Sequence, residues 1–185
     1  MSAWQVKVIT APDRPDIPSQ KIKIEIANIP SYTKEFAQIS QNYSSSISTP
    51  VVVAVQSMNE IMADKLLAFP ASVTHIRYRD IWDLNCLNWM SMNRVKPDID
   101  LLSKKISDYR VNGFQNLLAN RIDSLPSIIN GTGFINQMSR FLRQETIENS
   151  LAKEDFRSAL IGSIRRILSA AIDDDKPHKS IAYRP

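Results

Sequence analysis

The apolar period of this chain changes once, and that change decides its fold class. Before Gln56 two runs repeat apolar residues at every second position. Trp4, Val6 and Val8 alternate with Gln5 and Lys7, and Ile22, Ile24 and Ile26 alternate with Lys21, Lys23 and Glu25. A period of two belongs to a strand with one buried face. The segment Ala11-Pro12-Asp13-Arg14-Pro15-Asp16-Ile17-Pro18 joins the two runs, which predicts an antiparallel pair. Val51-Val52-Val53-Ala54-Val55 follows a Ser-rich stretch and predicts a third, buried strand.

Beyond Gln56 the apolar residues recur at three and four positions, which is a helical period. Two helices open this half and end before Lys96-Pro97. Further helices are predicted over about 98–109, 113–122, 134–142 and 153–171. The fold class is therefore α+β: a small, mostly antiparallel sheet of about three strands, then a bundle of about five helices. The expected organisation is a sheet part over 1–56, a helical domain over 57–172 and a flexible polar tail over 173–185.

Charge falls where the helical core should be. At about 100° per residue, Met58, Ile61, Met62, Leu66 and Phe69 share a stripe with Lys65 in its middle, while Glu60 and Asp64 point the other way. In the second helix Asp80 and Asp83 lie beside Leu84 and Leu87. A buried charge costs several kcal/mol unless it is paired or used. The loop between the helices is long enough to turn the second back along the first. Lys65 and the two aspartates are therefore expected within salt-bridge or one-water reach of each other. A structural salt bridge explains such a pair as well as a functional site does, and Lys65 could also snorkel out of the stripe.

Glu25 shares a strand face with Lys21 and Lys23. It reads either as part of an exposed charged face or as a strand carboxylate of a metal-dependent phosphoryl-transfer site. Asp98-Ile99-Asp100 mimics a metal motif, but it follows a proline and opens a helix, so Asp98 reads as a cap. His75 and His178 have no cysteine or second histidine at ligand spacing, which argues against a zinc site. Four glycines, none in a P-loop pattern, argue against a Gly-rich phosphate cradle. The net charge of +4 permits contact with RNA or nucleotide phosphates without demanding it. The single cysteine, Cys86, excludes an internal disulfide and fits a reducing compartment. No apolar run approaches the roughly 20 residues of a membrane span, so a cytoplasmic location with no membrane partner is expected.

Three segments together resemble a known family. They are Ile22-Lys23-Ile24-Glu25-Ile26, Glu60-Ile61-Met62-Ala63-Asp64-Lys65-Leu66 and Arg79-Asp80-Ile81-Trp82-Asp83-Leu84. In order and spacing they look like the nucleotidyltransferase AbiEii/AbiGii toxin family of abortive-infection and toxin–antitoxin systems. The resemblance covers roughly residues 4–170. The family pattern is a strand carboxylate, a helix of the form Glu-x-x-x-x-Lys-Leu, then Arg-Asp-x-Tyr-Asp-Leu. Trp82 here takes the aromatic place.

The resemblance implies a polymerase-β-like catalytic fold with a helical C-terminal region, and transfer of NMP from an NTP to RNA or protein with Mg²⁺. It implies that Lys65 contacts nucleotide phosphates, that Asp80 or Asp83 is the acid of the last motif, and that Glu25 is the third metal carboxylate. The family's Gly-Ser turn and Asp-x-Asp strand do not precede Trp4. The expectation is therefore a C-terminal portion of such an enzyme, with an incomplete catalytic domain, inactive by itself. The alternative is a non-catalytic module that binds an antitoxin or a complementary N-terminal chain, or that forms a homodimer through its open sheet edge.

Overall fold

In a computed structural model of the chain, the described residues are 2–8, 20–26, 28–39, 51–90 and 95–172. They fall into two compact units, Met1–Pro30 and Ser31–Pro185. The first is an antiparallel ribbon of β1 (Ser2–Val8) and β2 (Gln20–Ile26), with Trp4 opposite Ile24 and Val6 opposite Ile22. The alternation expected from sequence is thus in register, apolar against apolar. The Pro-rich connection, the Ser-rich stretch and the tail beyond Ile172 lie outside the described residues.

The second unit opens with another antiparallel ribbon, β3 (Lys34–Gln38) against β4 (Val52–Gln56), pairing Phe36 with Ala54. The class is α+β, with small antiparallel β structure and a helical bundle, but the strands differ in number and arrangement from the expected three-stranded sheet. Among the described residues there are four strands in two separate ribbons. Lys34-Glu35-Phe36-Ala37-Gln38 has no apolar alternation, so no sequence signal marks β3. The run at Val51–Val55 was expected to be buried and is not. Val52 and Val55 are exposed, and Phe36 is 81% exposed, because no described helix of this unit covers the two-stranded ribbon.

Seven helices follow among the described residues: α1 (Met58–Ala71), α2 (Tyr78–Met90), α3 (Ile99–Asp108), α4 (Phe114–Asn130), α5 (Thr132–Met138), α6 (Gln144–Asn149) and α7 (Glu154–Ser169). α1 packs on α2, α3 and α4, and α7 closes the bundle against α2 and α4. The core is apolar and continuous, from Met62, Leu66 and Phe69 through Ile81 and Leu84 to Leu160, Ile164 and Leu168.

Two helix boundaries depart from the periodicity. α4 was expected to stop near residue 122 but runs through Pro126 to Asn130. A proline in a helix interior costs about 3 kcal/mol. Leu125, Ile128 and Ile129 are buried around it, and each buried side chain returns about 1.5–3 kcal/mol, so packing wins. The helix expected over 134–142 is shorter, α5 ending at Met138, and α6 lies beyond it. At the α4–α5 joint a Cβ on Gly131 would lie 2.9 Å from the Ser127 carbonyl oxygen. Only glycine lets the two helices meet there. The capping reading of Asp98 holds: its side chain accepts the Leu101 N–H at 3.0 Å.

Candidate functional site

α1 is capped by Ser57, whose hydroxyl accepts the Glu60 N–H at 3.2 Å. From that start Met62, Leu66 and Phe69 face the core, which turns Lys65 toward α2. The segment between Ser72 and Arg77 reverses the chain, and α2 begins at Tyr78. Its first turns place Asp80 and Asp83, three residues apart and so on one helical face, against Lys65. The Lys65 ammonium lies 3.1 Å from Asp80 and 2.6 Å from Asp83. The close approach expected from sequence is therefore present.

The three groups are not equally exposed. The Asp80 side chain is 3% exposed, against 23% for Lys65 and 26% for Asp83. Asp80 is held from its other side by the Arg77 Nε–H, and that hydrogen bond raises the Arg77 pKa further. Asp83 also has Arg79 at 3.7 Å. Three cations thus surround two carboxylates. An ammonium has three donors, and two of those on Lys65 go to the aspartates.

The ion cluster separates two cavities. One, about 400 Å³, is lined mainly by apolar groups, including Met58, Ile61 and Leu87, together with Lys65 and Asp83. Cys86 also lines it, and burial followed by the Asp83 charge pushes its thiol pKa up, so it is a poor nucleophile. The other cavity, about 570 Å³, is the more polar of the two and is bounded by Lys65, His75, Arg77, Arg79, Asp80 and Asp83 together with Tyr78, Gln137 and Phe141. A cleft with this cation-rich wall suits an anionic ligand.

The resemblance implies Mg²⁺, but the described residues do not fit a metal cage. Among them no group of three or more His, Cys, Asp or Glu side chains could hold an ion. Asp80 and Asp83 are already bound to cations. Glu25 lies on β2 of the first unit, opposite Ala3.

Periodicity missed a second charged cluster. Glu60 does point away from the apolar stripe, yet it is fully buried. Its carboxylate lies 2.7 Å from the Lys105 ammonium of α3 and accepts the N–H groups of Tyr32 at 3.0 Å and Thr33 at 2.7 Å. Burial would raise the Glu60 pKa. The Lys105 ammonium and the Thr33 and Tyr32 N–H groups overrule it and bring it down to about 2. Asp64 adds a second carboxylate 3.3 Å from Lys105. The available signal was on α3: Lys105 sits three and four residues after Leu102 and Leu101, on the apolar face.

Among the described residues, no helix is long and apolar enough to cross a membrane. No curated relative and no solved structure matches the chain. The model of one family, the nucleotidyl transferase AbiEii toxin of type IV toxin–antitoxin systems, matches residues 2–177. With nearly the whole length matched, including the helices that carry Lys65, Asp80 and Asp83, this chain belongs to the AbiEii nucleotidyl transferase toxin family.

Proposed function

We propose that the polar cleft beside Lys65 receives the phosphates of an NTP, as part of a site that transfers NMP to an acceptor. The observation that carries this reading is the placement of Lys65: a partly exposed ammonium, oriented by two carboxylates, on the wall of a cation-rich cleft. In NMP transfer an acceptor hydroxyl attacks the α-phosphorus and pyrophosphate leaves with added negative charge. Oriented cations that meet that charge lower the barrier. Lys65 takes this electrostatic role, with Arg77 and Arg79 beside it. Asp80, nearly buried between Lys65 and Arg77, is a positioning residue. Asp83, which borders both cavities, is the carboxylate within a ligand's reach.

Transfer by this chain alone is slow or absent in this reading. Its support is that both aspartates are neutralised by cations and that no three-acid group occurs among the described residues. The third-carboxylate role for Glu25, and Mg²⁺ with it, belong to this proposal as an assembly with further acids. The test is incubation of the chain with α-labelled NTPs, Mg²⁺ and tRNA, alongside a titration with inorganic triphosphate. Triphosphate binding that Lys65→Ala abolishes, with little label transferred, is expected. Robust label transfer overturns the inactivity, and triphosphate binding indifferent to Lys65→Ala overturns the site.

The β3–β4 ribbon favours a second reading, that the chain docks on an antitoxin or a complementary strand-bearing chain. Phe36 and Val52 are exposed on it, and β4 carries no charged residue to deter pairing. Light scattering of the chain alone and with its antitoxin tests this. A monomer at every concentration, unchanged by the antitoxin, counts against both the complex and a homodimer.

A further inference from the structure

The polar cleft has an aromatic lip. Phe141 is 58% exposed, lies in the turn after α5 and lines the cleft together with Arg77 and Arg79. An exposed phenylalanine is unremarkable alone, but three observations set this one apart. The Arg79 guanidinium sits 5.2 Å from its ring centroid, in a cation–π contact. Arg140 and Arg143, both exposed, flank it in the chain. The turn is also firmly seated, because the Phe141 and Leu142 N–H groups both donate to the carbonyl of the buried Met138, and Leu142 packs against the core. The ring is thus held outward on a rooted backbone.

An aromatic face among arginines is the arrangement that binds unpaired bases: the ring stacks a base, and the cations meet its flanking phosphates. We propose that Arg79, Phe141, Arg140 and Arg143 form a platform for single-stranded nucleic acid, with Phe141 stacking one unpaired base beside the Lys65 cleft. The inference rests on the nucleotide reading of that cleft and gives its acceptor's class, a single strand. Duplex is a poor fit, since its bases already stack on each other and offer the ring no free face.

The test is fluorescence anisotropy of the full chain with labelled 12-nucleotide single strands, RNA and DNA, and with a duplex of the same sequence. Binding of either single strand above the duplex is expected, and the preference between them identifies the sugar recognised. Phe141→Ala should weaken single-strand binding about ten-fold, while Phe141→Trp should keep it. Arg140→Gln with Arg143→Gln should flatten the salt dependence by about 1.4 in log–log slope. Circular dichroism verifies that each variant is folded.

Duplex bound as tightly as single strand, no single-strand binding, or a folded Phe141→Ala chain with unchanged affinity would each overturn the platform. Parallel titrations with inorganic triphosphate keep the two readings apart. If Lys65→Ala spares triphosphate binding while Phe141→Ala releases the oligonucleotide, the nucleotide site falls and the platform stands. The reverse pair of results overturns the platform alone.

Discussion

The Glu60 carboxylate and the Lys105 ammonium lie 2.7 Å apart with 0% and 1% of their side chains exposed. Glu60 stands near the start of α1, Lys105 is on α3, and the Tyr32 and Thr33 N–H groups that Glu60 accepts lead directly into β3. The Ser57 N–H adds a bond to the Thr33 carbonyl, at 3.2 Å. One buried pair therefore ties the root of the β3–β4 ribbon to the helices that present Lys65.

Removing Lys105 leaves the buried Glu60 carboxylate without a cation. Lys105→Met should lower the unfolding free energy by about 3–5 kcal/mol, because Glu60 is left as an uncompensated buried charge. Glu60→Gln combined with Lys105→Met should recover much of that loss. Urea denaturation of the single and double variants measures both, and a single-variant loss under about 1 kcal/mol would refute the pair's role.

Acid should attack the fold at the same place. The folded-state pKa of Glu60, about 2, lies below its ordinary value of 4.5. For a depressed acid the unfolded chain takes up the proton first. The stability from Glu60 is therefore complete above about pH 4.5 and lost progressively as pH falls toward about 2. In Glu60→Gln that part of the pH dependence should vanish. Thermal melts at stepped pH between these values provide the measurement, and an unchanged slope in the variant contradicts the assignment.

Lys65 and Asp80 should separate in their effects. Without Lys65, Asp80 keeps Arg77 and Asp83 keeps Arg79, so Lys65→Ala should cost only about 1–2 kcal/mol while weakening triphosphate binding. Asp80→Ala removes the nearly buried acid between two cations and should cost about 3 kcal/mol. Chemical denaturation paired with triphosphate titration checks the contrast. Equal stability losses would mean that Lys65 is a structural partner only.

Gly133 sets the position of a cleft residue. A Cβ there would lie 2.6 Å from the Tyr78 hydroxyl oxygen. Tyr78 lines the polar cleft and packs on Phe134 with ring centroids 6.1 Å apart. Gly133→Ala should therefore displace the Tyr78 ring at a cost of about 1–3 kcal/mol. Removing the hydroxyl by Tyr78→Phe should return part of it. Melting temperatures of the two single variants and the double variant form the cycle, and strict additivity would show that the contact is unimportant.

Much of this molecule was legible because its signals are local. The alternation at Trp4–Val8 and Ile22–Ile26 is a property of a few adjacent residues and reappears as a paired ribbon. Lys65, Asp80 and Asp83 stood out because each breaks an apolar pattern and needs a partner, and the short connection leaves few places to find one. β3 was not legible, because Lys34–Gln38 carries no period and is a strand only through its pairing with β4. The passage of α4 through Pro126 was hidden for a related reason: burial of Leu125, Ile128 and Ile129 outweighs a local penalty that periodicity cannot weigh.

By itself the sequence determined the α+β class, the family, and the meeting of one lysine with two aspartates on neighbouring helices. Apolar period suffices for the class and helical period with loop length for the meeting, since these act over short separations, while the family is carried by the three motif segments. Tertiary structure alone decided that Glu60 meets Lys105 across 45 positions of chain, that Asp80 is enclosed while Asp83 borders two cavities, and that Phe141 stands under Arg79 at the cleft's edge. These are contacts between distant segments. Their geometry follows from how the helices pack against a common core, which no single stretch of residues encodes.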